Sequence, residues 1–294
     1  MLTDRLWPRA QTLFKPNLKK ADLALVGVPA HKSSISPTSA HLTPKAIRQV
    51  LAKYSTYSGS KDIDLRGLTF TDLGDIASPD GQDGKKRVNK KLSGVLENYQ
   101  TLVALGGDNS ITFSVASALF PDLSKIGLVT LDAHHDLRDG LSNGSPVWRL
   151  IQAGLPGRNV MQIGISDFAN SREYAQRAKE QGIYIITRDQ LRRQSMKDAM
   201  KEAFSILNRR VDEIYVDLDV DVCDRSVAPA CPASVPGGIS ADELRQAAFY
   251  SGANSKVRAI DITEIDVKKD AADQRTIRLA ALLVLEFAAG VATR

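Results

Sequence analysis

Thiols are almost missing from this chain: Cys223 and Cys231 are the only cysteines in 294 residues. A disulfide framework is excluded as an organising device. Two free thiols of a cytoplasmic protein are the expectation, although a single bridge at that spacing is conceivable. Also missing is any apolar run near the roughly 20 residues that a membrane helix needs, so no membrane is expected as a partner. The first twenty residues hold Asp4, Lys15, Lys19 and Lys20 and no apolar core of the kind that directs export. No low-complexity tract, internal repeat or linker divides the chain. Nucleic-acid recognition motifs are absent too. The net charge of +5 comes from scattered residues, such as Lys85, Lys86, Arg87, Lys90 and Lys91 on one expected helix and Arg188, Arg192 and Arg193 elsewhere. That is the pattern of solvated faces, so no nucleic-acid partner is expected. A basic surface gives weak support to an anionic substrate.

What is present is an ordinary globular composition, 43% hydrophobic and 25% charged. Six to eight short runs, such as Leu23 to Val28, Thr101 to Leu105 and Ile126 to Leu131, are almost wholly apolar without alternation, and Val257 to Ile262, with Arg258 and Asp261 among apolar residues, reads as the last strand; helical patterns separate them. Strands of that kind are buried on both faces, which implies a parallel sheet covered by helices on each side. The reading is a single α/β domain over residues 21–294, a three-layer α/β/α sandwich, preceded by an arm of residues 1–20 anchored by Leu6 and Trp7. Helices are expected from Pro44 to Tyr54, Lys85 to Glu97, Ser171 to Gln181, 195–209 and Arg275 to Val291. Ser240 with Glu243 three residues on reads as a capping box.

Two acidic clusters stand out. Asp132-Ala133-His134-His135-Asp136 follows the apolar run that ends at Leu131, and Asp217-Leu218-Asp219-Val220-Asp221 follows Ile214 to Val216, with Asp224 beyond. Strand alternation predicts that Asp132, His134 and Asp136 share one face, His135 turns away, and Asp217, Asp219 and Asp221 share another face. Like charges so close are destabilising unless a cation lies between them. One imidazole, several carboxylates and no thiolate suit a hard or borderline ion such as manganese. Five ligands exceed one site and suit two ions with bridging carboxylates. In open α/β sheets such sites lie at the carboxyl ends of strands. His31 and His41 are possible ligands, with exposed loop histidines the favoured reading.

With Gly106-Gly107-Asp108-x-Ser110 upstream and Glu264 downstream, Asp132-Ala133-His134-x-Asp136 and Asp219-x-Asp221-x-x-Asp224 make the chain resemble the ureohydrolase superfamily of arginases, agmatinases and formimidoylglutamases. Lys32-Ser33-Ser34-Ile35-Ser36, Ala228-Pro229-Ala230-Cys231-Pro232-Ala233 and Pro236-Gly237-Gly238 make it most similar to formimidoylglutamases. The resemblance implies an arginase-like sheet and two Mn2+ ions held by Asp132, His134, Asp136, Asp219 and Asp221. It implies hydrolysis of the C–N bond of N-formimidoyl-L-glutamate, in histidine degradation, by a metal-activated hydroxide. Asp132 and Asp219 would bridge the ions, Asp136 would orient the hydroxide and pass a proton, and Glu264 would hold the amidine end. Asn143, Ser145, Arg138, Arg149 and Lys32 are candidates for substrate contact. The sequence departs from the family pattern twice. Asn109 stands where most members carry a metal-binding histidine, so that site is expected to hold its ion weakly. Asn143 stands where arginases carry a proton-transferring histidine. The alternatives are another amidine or guanidine hydrolase, such as an arginase or agmatinase, and a metal-poor paralogue without catalysis. The resemblance further implies a homo-oligomer, with the final helix contributing to subunit packing.

Overall fold

A computed structural model of the chain describes residues 4–294; Met1 to Thr3 of the expected arm lie outside the described residues. Its strands are β1 (Phe14–Pro16), β2 (Ala21–Val28), β3 (Tyr57–Ser58), β4 (Ile63–Asp64), β5 (Phe70–Asp75), β6 (Tyr99–Gly106), β7 (Ile126–Leu131), β8 (Val160–Ile165), β9 (Tyr184–Thr187), β10 (Glu213–Asp219) and β11 (Val257–Thr263). The helices are α1 (Thr43–Leu51), α2 (Gly84–Leu92), α3 (Ser110–Leu119), α4 (Pro146–Gln152), α5 (Arg172–Glu180), α6 (Met196–Leu207), α7 (Ala241–Ala253) and α8 (Arg275–Val291). Nine strands form one sheet in the order β1-β5-β2-β6-β11-β10-β7-β8-β9, and β3 and β4 form a small hairpin apart from it. Every pairing in the large sheet is parallel.

The layers follow from the two faces of each strand. Leu23 and Leu25 of β2 belong to one buried cluster together with α1, α6, α7 and α8. Ala24, Val26 and Val28 belong to the other, together with α2, α3, α4 and α5. Residues alternate between the faces of a strand, and here both faces are covered, so the run has no polar side. The α/β/α sandwich is therefore the architecture, built on nine strands rather than six to eight.

Local sequence explains most boundaries. Ser171 caps α5 by accepting from the Tyr174 N–H, and Ser240 and Glu243 form the full capping box at α7. The basic helix stops earlier than expected. Its run ends at Leu92, because Ser93 leaves the helical region and Gly94 takes a positive φ of 70°. Within the stretch expected as an arm, Phe14–Pro16 pairs with β5 as the sheet's edge strand, while Leu6 and Trp7 are exposed and anchor nothing.

Four adjacent central strands matter most: β6, β11, β10 and β7. Their carboxyl ends open on one edge of the sheet, where Asn109, Glu264, Asp219 and the 132–136 segment stand side by side.

Candidate active site

Each element delivers its residues by a distinct local device. After β6 the chain turns at Gly107, whose N–H donates to Val28 O at 3.2 Å, and the Asp108 N–H donates to Ala30 O at 3.0 Å. A Cβ on Gly107 would lie 2.0 Å from the Ala30 carbonyl oxygen, so no larger residue fits this turn. Asp108 then accepts from the Ser110 N–H at 3.1 Å, which starts α3 and leaves Asn109 facing the sheet edge.

The 132–136 segment is not a continuation of the strand. β7 ends at Leu131, and Asp136 adopts a left-handed backbone with φ 52°. Alternation along a strand is therefore not what gathers Asp132, His134 and Asp136. Backbone amides do it instead: the His134 N–H donates to Asp132 Oδ1 at 2.6 Å, and the Ala133 N–H donates to Asp221 Oδ1 at 2.9 Å. Asp221 likewise lies beyond β10 in a single turn, its N–H donating to Asp219 Oδ1 at 2.8 Å. Glu264, one residue past β11, also takes a positive φ, 64°. Two acidic residues held in that region at one site store strain of about 1–3 kcal/mol each, which the surrounding structure must offset.

Donor atoms of Asp132, His134 and Asp221 come within 4.8 Å of one another, close enough to share one cation. Asp136, Asp219 and Glu264 are buried beside them. Burial, with Asp221 next to it, pushes the Asp132 carboxyl up to about 7. Burial and then Asp132 push Asp136 up, and burial and then Asp221 push Asp219 up. Burial carries Glu264 up to about 7. The opposite happens at the imidazole: the Asp221 carboxylate, 2.6 Å from His134 Nδ1, pushes His134 up to about 12. Burial raises Asp221, yet the His134 charge holds it below its usual value. A single imidazolium cannot neutralise five buried carboxyl groups. Asp132 Oδ2 is buried with no hydrogen-bond partner. An orphan carboxylate oxygen inside an anionic cluster calls for a cation as its partner, so these residues fit a metal.

The cleft above has a volume of about 340 Å³. Its wall includes Asp136, Asp219, Asp221, Glu264, Asn143, Tyr174 and Arg138, the one Lys or Arg on the wall among the described residues. Asn143 Nδ2 donates to Glu264 Oε1 at 2.9 Å, and its Oδ1 accepts from the Ile35 N–H at 3.0 Å, so it ties the 31–36 loop to the floor. Three expected contacts are not brought here. Ser145 is buried, its hydroxyl spent on Ser142 within a turn, and Lys32 is exposed outside the wall. Arg149 is also off the wall, stacked over the Phe113 ring. His31 and His41 stack on each other, ring centroids 4.5 Å apart, away from the cleft. His135 turns from the carboxylates to Gln162, with Nδ1 2.7 Å from Oε1; the direction is the expected one, although strand alternation is not its cause.

A network beneath the floor escaped the sequence reading. Asp217 and Asp261 are cross-strand partners on β10 and β11, both fully buried. Burial and then mutual repulsion push Asp217 up, and burial carries Asp261 up to about 6. Asp261 Oδ2 accepts from Tyr215 and Thr112, each at 2.8 Å. An Asp in mid-run of Val257 to Ile262 was the available signal.

The arginase family model matches residues 21–290. The chain belongs to the arginase family. It is 39% identical to the formimidoylglutamase of Halalkalibacterium halodurans, over 98% of this chain and 93% of that protein. The formimidoylglutamase of Bacillus subtilis is 35% identical over 91% of this chain and 86% of its own length. The crystal structure of the B. subtilis formimidoylglutamase superposes with a TM-score of 0.93, covering 99% of this chain and 94% of that one. The same arginase fold recurs at 23% identity in a Trypanosoma cruzi formiminoglutamase solved with Mn2+, TM-score 0.88, over 98% of this chain and 99% of that one.

Proposed function

We propose that this arginase-family member hydrolyses the formimino C–N bond of N-formimidoyl-L-glutamate, giving L-glutamate and formamide. The observation that carries this reading is the cleft's polarity: a deeply anionic floor ending in Glu264, with Arg138 as the cation on the wall. An amidine with two carboxylates on its tail matches that polarity. Agmatine, cationic at both ends, does not, and the identity to formimidoylglutamases over almost the whole chain supports the same choice.

Asp132, His134, Asp136, Asp219 and Asp221, with Asn109 as the weakest donor, would hold two Mn2+ ions. Carboxylate, imidazole and amide donors without a thiolate favour manganese over a thiol-bound metal. When bound, such ions supply a water ionised near neutral pH and a Lewis-acidic contact for the substrate.

The chain's own residues do the rest. Glu264 accepts hydrogen bonds from the amidinium protons, its carboxylate aimed by Asn143 Nδ2 and the Asn109 N–H. Arg138 pairs with a tail carboxylate, which sets the planar amidine carbon over the floor. The Asp136 oxygen that Asn109 does not contact, Oδ1, takes a proton and returns it to the departing nitrogen. Asn143 holds the 31–36 loop against the cleft.

Metal-stripped protein incubated with N-formimidoyl-L-glutamate, with and without added Mn2+, tests the whole reading. Manganese-dependent release of equal glutamate and formamide is expected. Urea from arginine or agmatine at a higher kcat/KM would replace this substrate. A histidine-degrading role, a cytoplasmic location and a homo-oligomer belong to the same proposal.

A further inference from the structure

The strongest unexplained contact lies under Asn109. Its side-chain Nδ2 faces Asp136 Oδ2 at 2.6 Å, and its Oδ1 faces two hydroxyls, Thr112 Oγ1 at 2.8 Å and Thr263 Oγ1 at 3.2 Å. The Thr112 hydroxyl has a second claimant, Asp261 Oδ2, also at 2.8 Å. A hydroxyl carries one proton. It cannot donate to both the amide oxygen and the carboxylate.

The carboxylate wins that contest. A hydrogen bond to an ionised acceptor is roughly twice as strong as a neutral one, and Asp261 is buried with only Tyr215 as its other donor to Oδ2. Once Thr112 donates to Asp261, it offers Asn109 only lone pairs. A half-turn of the Asn109 amide resolves the conflict. The two amide protons then meet the oxygens of Thr112 and Thr263, and Oδ1 turns to Asp136. Without a cation, that half-turn sets two oxygens against each other at the Asp136 contact. A cation held beside that contact would take both oxygens as donors. The amide orientation and the cation thus depend on each other, and Thr112 decides which orientation the protein favours.

We propose that Thr112 is a positioning residue for the metal centre: by donating to Asp261 it turns the Asn109 carbonyl oxygen toward the cation beside Asp136. This rests on the two-ion reading above. It gives a neutral amide, poor as a ligand, a fixed direction from which to bind. It also links the buried pair Asp217 and Asp261, which touches no substrate, to the weaker of the two ion sites.

Calorimetric titration of the metal-stripped full chain with Mn2+ tests it. Wild type is expected to bind two ions. Thr112→Val, which keeps the shape and removes the hydroxyl, is expected to weaken one of them about 10- to 100-fold, the usual cost of losing a group that orients a ligand. Thr112→Ser restores that affinity. In an Asn109→Asp background, where there is no amide to orient, Thr112→Val should cost nothing further. Equal affinity in wild type and Thr112→Val, equal loss in Val and Ser, or the full loss in the Asp background would each overturn the proposal while leaving two-ion binding intact. Wild type binding fewer than two ions would instead overturn the two-ion reading. Neutron diffraction of the Mn2+-soaked wild type decides the amide in that case, and equally if Thr112→Val fails to fold. Deuterons on the Thr112 side support the proposal, and deuterons on the Asp136 side overturn it.

Discussion

The backbone N–H of Asn109 donates to Glu264 Oε1 at 2.7 Å, joining two residues 155 positions apart. Glu264 is thereby held by the main chain that also presents Asn109, and Asn143 Nδ2 completes its aim. Because both bonds end on Oε1, Glu264→Gln can keep them while losing the charge. Its kcat/KM for N-formimidoyl-L-glutamate should fall about 10- to 100-fold, the worth of one charge-assisted bond, with the circular dichroism melt little changed. Full activity in this variant would remove Glu264 from the amidinium contact.

Asp219 is buried in the floor with its Oδ1 engaged by the Asp221 N–H. Asp219→Ala should reduce Mn2+-dependent turnover by about 1000-fold, since the bound ions contribute several kcal/mol. Metal analysis of the purified variant should show fewer ions per chain than wild type. Two full equivalents with normal turnover would contradict the ligand set.

Acidity should stabilise the metal-free protein. Asp132 and Glu264 titrate near about 7 in the folded chain, against about 4 when unfolded. The folded state therefore keeps protons that the unfolded state loses as pH rises from about 4 to 7, and stability drops across that window. His134 acts in the same sense: raised to about 12 from about 6.5, its contribution is complete below about 6.5 and wanes as pH climbs. Chelator-treated protein should melt at a lower temperature at pH 8 than at pH 5, and Mn2+ should flatten that trend. A melting temperature that rises from pH 5 to pH 8 without metal would contradict the origin given for these shifts.

Arg138 on the cleft wall is expected to read the substrate's tail. Arg138→Gln should raise KM for N-formimidoyl-L-glutamate about 10- to 100-fold, with a smaller effect on kcat. Steady-state kinetics that show the loss in kcat alone would move Arg138 from tail recognition to some other task.

Gly107 sits where a methyl group would strike the Ala30 carbonyl at 2.0 Å. Gly107→Ala should lower stability in urea unfolding by about 3 kcal/mol or more, an overpacking cost that here falls on rigid backbone. It should also weaken Mn2+ binding by displacing Asn109. Wild-type stability in this variant would mean that the turn after β6 is softer than its contacts suggest.

Much of this architecture was legible in advance, for reasons visible in particular residues. Ile126 to Leu131 has no charged residue and only Thr130 as a polar one, so it reads as a strand covered on both faces, and Ser240 with Glu243 announced the start of α7. The acidic clusters were legible because carboxylates at such density demand a counter-charge. Their geometry was not. Asp136 and Glu264 occupy the left-handed backbone region, which Asp tolerates but a Glu seldom adopts, and no sequence pattern foretold it. Lys32 and Ser145 looked equivalent to Arg138 and Asn143 as polar loop residues; a local turn bond to Ser142 occupies Ser145, whereas a long-range bond to Glu264 brings Asn143 to the floor. β1 was invisible because three residues ending in Pro16 carry no periodic signal.

In the sheet, β11 lies between β6 and β10 although it is the last strand in the chain. The groups at the sheet's edge therefore face a gap until some 260 residues have been made. β11 joins β6 to β10 and brings Asp261 and Glu264 with it. Long-range closure of this kind is slow. A truncated chain lacking β11 would keep the acidic clusters that follow β7 and β10 but lose Glu264 and Asp261, so the cation ligands and the amidinium contact belong to separable parts of the chain.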